Sequence, residues 1–142
     1  MLFRSNEVDW VELAQHQIET IDLVIVDLYP FKETVAKSED EEEIIEKIDI
    51  GGISLIRAAA KNFNDVLICA SRNDYPSLLE TLNRNNCATE ISERQHFASK
   101  AFAVTSNYDT AIFNYFNEAA HLPVFKKSIH TSSSLQIGRA HV

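Results

Sequence analysis

Cysteine, glycine and proline are all scarce in this 142-residue chain, with two, three and three residues respectively. Two cysteines, Cys69 and Cys87, cannot build a disulfide framework, so a reducing cytoplasmic compartment is the default expectation. Cys69 sits inside the apolar run "DVLICA" and reads as a small core residue. Positive charge is also in deficit: 13 basic residues stand against 21 acidic ones, a net charge of -8. Such a chain lacks the basic footprint that nucleic acid or an anionic membrane requires, and neither is expected as a partner. A small anionic ligand stays open, because two or three local cations suffice to hold a phosphate. No apolar run nears the roughly 20 residues of a membrane-spanning helix, and no signal-peptide core follows Met1. The five histidines contain no H-x-x-x-H pair, so no metal is expected. The spacings of a P-loop, a dinucleotide fingerprint, a nucleophile elbow and an RNA-binding RNP motif are absent too.

What remains is a composition fit for a core, 45% hydrophobic, in a length suited to one domain or a large piece of one. Residues 7–19, "EVDWVELAQHQIE", carry apolar side chains at roughly helical spacing. The run "IDLVIVDLY" is nearly continuous and β-branched, which suits a parallel strand covered on both faces. Pro30 must end it, since proline offers no ladder N–H. In "KSEDEEEIIEKI", Ser38 is a candidate cap before an acid-loaded first turn, with Ile44, Ile45 and Ile48 as the apolar side. The acidic run reads as a solvated helix start. A short alanine-rich helix follows the turn "DIGG". "DVLICA" is a second buried strand, and Pro76 opens a helix packed through Leu78, Leu79 and Leu82. Residues 92–119 read as a long helix with a break or bend near Ser106 and Asn107. Strand and helix alternate, which predicts an α/β layered fold.

Ligands in open α/β sheets bind beyond the carboxyl ends of the strands. That rule draws attention to Asp27, Leu28, Tyr29 and Pro30. Tyr29 suits stacking on a planar ligand; equally, Tyr29 and Phe31 could cap the core beneath a turn. Gly51 and Gly52 let backbone N–H groups approach a ligand without a Cβ in the way, just before a helix whose amino end favours negative charge. Asp49 is either a hydrogen-bond and proton acceptor or an ordinary turn cap. Lys61, near the far end of that helix, is electrostatically comfortable there without any function.

Three blocks, "IDLVIVDLYPFKETVA", "IIEKIDIGGISLIRAAAKNFNDVLICASRNDY" and "AFAVTSNYDTAIFNYF", resemble the inosinate cyclohydrolase domain of the bifunctional purine biosynthesis enzymes, in order and over about residues 8–128. The resemblance implies a methylglyoxal-synthase-like α/β fold, three-layered, with a parallel sheet flanked by helices and incomplete at its amino end. It implies closure of 5-formamidoimidazole-4-carboxamide ribotide to inosine monophosphate with loss of water, without metal or redox cofactor. A homodimeric parent would also carry a formyltransferase domain using 10-formyltetrahydrofolate. By the same resemblance Lys61, Asp49 and Tyr29 match catalytic positions. Asp27, Leu28, Pro30, Ile50, Gly51 and Gly52 match the wall and turn around the ribotide. Asp27 stands where many members have asparagine, and an ionised aspartate accepts but does not donate.

The ends, residues 1–5 and 136–142, read like translated sequencing-adapter DNA. The expected organisation is therefore a partial cyclohydrolase domain over 6–125 and the start of an interdomain linker over 126–135. The family's serine-rich and basic phosphate-binding segments would precede this portion, and the piece alone is expected to lack both activities. Two other readings stand beside this one: a stand-alone methylglyoxal-synthase-like lyase or ligand-binding regulatory domain, and a non-catalytic α/β interaction domain.

Overall fold

A computed structural model describes residues 7–84 and 86–122. The element order is α1 (Glu7–Gln15), β1 (Leu23–Ile25), α2 (Phe31–Val35), α3 (Glu41–Ile45), α4 (Gly51–Lys61), β2 (Leu67–Cys69), α5 (Tyr75–Arg84) and α6 (Ile91–Ala120), with a 3-10 turn at Arg72–Asp74. The expected adapter-like ends and the expected linker lie outside the described residues.

The three-layer fold with a substantial parallel sheet is not what forms. The described residues are mostly helical and hold only a two-stranded sheet. Its strands run parallel, with Leu23, Val24 and Ile25 opposite Leu67, Ile68 and Cys69. The apolar runs that suggested long strands yield three paired residues each. Pro30 stops the first run, and Ala70 leads directly into the Ser71 turn. Helices supply the burial that further strands were expected to provide. β1 is not the doubly covered strand either, since Ile25 is 48% exposed.

β2 is that strand, buried throughout. Successive side chains alternate between faces. Leu67 and Cys69 meet Leu78 of α5 and Phe97 of α6. Val66, Ile68 and Ala70 meet Ile56, Ala59 and Ala60 of α4 and Ala98 and Ala101 of α6. The small alanines let α4 and α6 lie close to the strand, as their composition suggested. Burial also raises the Cys69 thiol above its ordinary pKa, the inert state of a core cysteine.

A third cluster sits beneath the Tyr-Pro-Phe turn. Phe31 is 1% exposed and packs edge-on against Tyr115 at 5.9 Å, with Ile44 and Tyr108 beside it. This anchors α2 and α3 to α6. Two local expectations change here. Asp40 rather than Ser38 caps α3, accepting from the Glu42 N–H at 3.0 Å. Ser38 lies just outside, accepting from the Asp40 N–H and donating to Glu43. No break forms at Ser106 and Asn107, and α6 runs through both. The Thr105 and Thr110 hydroxyls donate back to carbonyls of their own helix, so these polar residues are accommodated without interrupting it. Among the described residues no helix is long and apolar enough to cross a membrane.

Candidate functional site

At the carboxyl end of β1 the chain turns through Asp27, Leu28, Tyr29 and Pro30, all of which line one cavity of about 540 Å³. Ser71 and Arg72 border it from the end of β2, and Asn107 and Tyr108 from α6. The two aromatic residues of the Tyr-Pro-Phe turn divide their tasks. Phe31 is the core anchor described above, while Tyr29 is 58% exposed at the cavity edge. The Lys47 ammonium lies 5.9 Å from the Tyr29 ring centre, within cation–π range.

Asp49 stands just before α4. Its carboxylate accepts the Gly52 N–H at 2.6 Å and, more distantly, the Tyr29 N–H at 3.4 Å. One side chain thus ties the end of β1 to the start of α4. The glycine pair serves this join unequally. A Cβ on Gly52 would stand 2.7–2.9 Å from the Asp49 carboxylate atoms, whereas one on Gly51 would meet nothing within 4 Å. Neither glycine has a positive φ. The Gly52 N–H, expected to face a ligand, is already taken by Asp49. Asp49 therefore does act as a turn cap, yet a carboxylate has about four acceptor sites and two accept hydrogen bonds within the described residues.

Tyr108 was not singled out from the sequence, and it holds this corner in place. Its hydroxyl donates to the Lys47 carbonyl at 2.6 Å and accepts the Asp49 N–H at 3.0 Å. Burial pushes its phenol above the ordinary tyrosine value, so it stays protonated and able to donate. A polar-tipped aromatic on the buried face of α6 was the available signal.

Asp27 forms the opposite wall. Its Oδ2 accepts from Arg72 Nε and from the Tyr75 hydroxyl, each at 2.8 Å. Burial pushes the Asp27 carboxyl up, but those two hydrogen bonds and the Arg72 charge outweigh it and hold the pKa below the ordinary value. Arg72 also escaped notice in the sequence, although it follows β2 as Asp27 follows β1.

The remaining expected positions fall in two places. Leu28 is half-buried and packs on the cores beneath the cavity, and Ile50 is 74% exposed beside Asp49. Lys61 is elsewhere. It closes α4, and ten residue steps at 1.5 Å put its backbone about 15 Å from that of Gly51. Neither Lys61 nor Asp49 borders the cavity at Tyr29, but Asp49 touches its wall through the Tyr29 N–H. The fold brings Tyr29, Asp49, Gly52 and Asp27 to one end of the sheet and holds Lys61 at the other end of α4. No group of three or more potential metal-ligating side chains is assembled among the described residues.

A family model, the AICARFT/IMPCHase bienzyme, matches residues 59–141. The chain belongs to that family. It is 51% identical over 135 residues to the bifunctional purine biosynthesis protein PurH of Bacteroides thetaiotaomicron, covering 95% of this chain and 26% of that protein. PurH of Oceanobacillus iheyensis is 46% identical over 114 residues, covering 80% of this chain and 22% of its own length. The chain therefore spans about a quarter of the curated relatives it matches. Among solved structures, the crystal structure of ForH is similar at a TM-score of 0.70 and 31% identity, covering 82% of this chain and 60% of that one. The family resemblance carried by the sequence blocks is borne out.

Proposed function

We propose that the protein carrying this chain closes 5-formamidoimidazole-4-carboxamide ribotide to inosine monophosphate, in the cytoplasm, as a step of purine nucleotide synthesis. Membership of the bienzyme family supports this reading. The observation that carries it is the exposed Tyr29, which lines a cavity large enough for a nucleotide base and whose backbone N–H donates to Asp49 behind it.

Ring closure forms a bond from the carboxamide nitrogen to the formyl carbon. The carboxamide nitrogen sheds one proton and the formamide N–H the other; the formyl oxygen gains negative charge, takes up both and leaves as water. Tyr29 stacks on the planar ring and fixes its orientation. Asp49, pinned by backbone N–H groups, keeps acceptor capacity for a proton of the attacking amide. For Lys61 the family resemblance implies an electrophilic or proton-donating role towards the formyl oxygen. Lys61 lies at the far end of α4 from Asp49, so its role rests on the family resemblance and not on a contact with Asp49 or Tyr29. A formyltransferase part using 10-formyltetrahydrofolate, and a homodimeric assembly, complete the proposed parent.

Turnover and product affinity of the full-length protein test the reading. Asp49→Asn keeps an acceptor for the Gly52 N–H but removes the base. Turnover is expected to fall about 100-fold or more, with affinity for inosine monophosphate changed far less. Unchanged turnover would remove Asp49 from the mechanism. Lys61→Ala decides the inherited role: a loss of turnover exceeding any loss of affinity upholds it, and unchanged turnover ends it.

A further inference from the structure

Asp27 poses a chemical problem for the site just proposed. It lines the cavity, but as a carboxylate it offers a ligand only acceptors. The Arg72 guanidinium sits beside it, bonded through Nε to Asp27 Oδ2 at 2.8 Å. Its side chain is 81% exposed, and it borders the same cavity. The contact occupies one of five N–H donors. Neither terminal nitrogen takes a hydrogen bond within the described residues. Tyr75 donates to the same Asp27 oxygen at 2.8 Å, a second hold on the carboxylate.

We propose that Asp27 and Arg72 act as one unit, in which the carboxylate positions the guanidinium and Arg72 donates hydrogen bonds to an acceptor oxygen of the ligand. The pair turns an acceptor-only wall into a donor wall. Arg72 is the contacting, specificity-determining residue and Asp27 the positioning one. The acceptor is an oxygen of the ribotide, either a carbonyl of the base or an oxygen of the phosphate; both suit a guanidinium. The inference rests on the reading of this cavity as the ribotide site.

The test is calorimetric titration of inosine monophosphate, and of inosine, into the full-length protein and three variants. Arg72→Ala should weaken inosine monophosphate binding about tenfold or more, the usual effect of losing a hydrogen bond to a charged group. Because Arg72 is exposed, the thermal midpoint should barely move. Asp27→Asn alone should cost less, since the amide brings its own N–H donors. The double variant Asp27→Asn with Arg72→Ala should regain most of the affinity that Arg72→Ala loses, because asparagine then donates directly. A merely structural ion pair would give no such rescue. A penalty shared by inosine and inosine monophosphate places the acceptor on the base; a penalty confined to the phosphorylated ligand places it on the phosphate. Affinity within twofold of wild type in Arg72→Ala, or a double variant no better than Arg72→Ala, overturns the proposal. If the wild-type protein binds no inosine monophosphate at all, the reading of the cavity fails first, and this inference falls with it.

Discussion

The two ends of α4 are built on opposite plans. At the amino end two glycines, one short carboxylate and an exposed tyrosine meet beside an open cavity. At the carboxyl end everything is closed. Asn62 is buried, and its carbonyl accepts the N–H groups of both Asp65 and Val66 at 3.0 Å. The Arg94 guanidinium then donates to the carbonyls of Phe63, Asn64 and Thr89 and to the Thr89 hydroxyl. The cation there complements the negative end of the helix, and the carbonyls it holds lead the chain into β2. Between the two ends runs a rigid segment with Ala59 and Ala60 fully packed. One end is a structural joint with its polar groups spent, and the other keeps acceptors and an aromatic face in reserve. Twelve residues of sequence separate Asp49 from Lys61, yet a helix turns that interval into distance rather than proximity.

The largest effect on stability should come from the closed end. Arg94→Ala strands three carbonyls at the junction of α4, β2 and α6, and should cost about 2–4 kcal/mol. The urea midpoint measures this, while ligand affinity per folded molecule should hold. A cost below about 0.5 kcal/mol, within the range of ordinary surface substitutions, would show that the joint is not structural. The glycine pair then sharpens the contrast at the open end. Gly52→Ala drives a Cβ into the Asp49 carboxylate, and should weaken inosine monophosphate binding at least several-fold as Asp49 shifts. Gly51→Ala points into open space, and should leave binding unchanged while adding up to about 1 kcal/mol of helix stability. Equal effects from the two alanines would mean that Asp49 is not held for binding.

Much of this arrangement was legible in the chain, and the failures have two causes. Helices α4, α5 and α6 follow apolar periodicity and local propensity, and both strands lie within the two β-branched runs. Tyr29, Asp49 and Gly52, singled out by the family blocks, lie together in the fold. The sheet was overestimated because a run's apolar character reports burial, not pairing, and helices can bury a strand as well as neighbouring strands can. A break in α6 was suggested by polar residues whose neighbours bond back into their own helix. Tyr108 and Arg72 went unseen for another reason. Their partners lie 59–61 and 45 residues away respectively, and no local spacing encodes a contact of that range. The split between Asp49 and Lys61, by contrast, was present in the sequence once the alanine-rich segment was read as helix, since its rise alone separates them.

The most direct measurement is a crystal structure of the full-length protein with inosine monophosphate bound. The account predicts the hypoxanthine ring stacked on Tyr29, with the Asp49 carboxylate at hydrogen-bonding distance, about 3 Å, from the ring. A nucleotide seated away from both Tyr29 and Asp49 would contradict it, and would return that corner to the role of a structural turn.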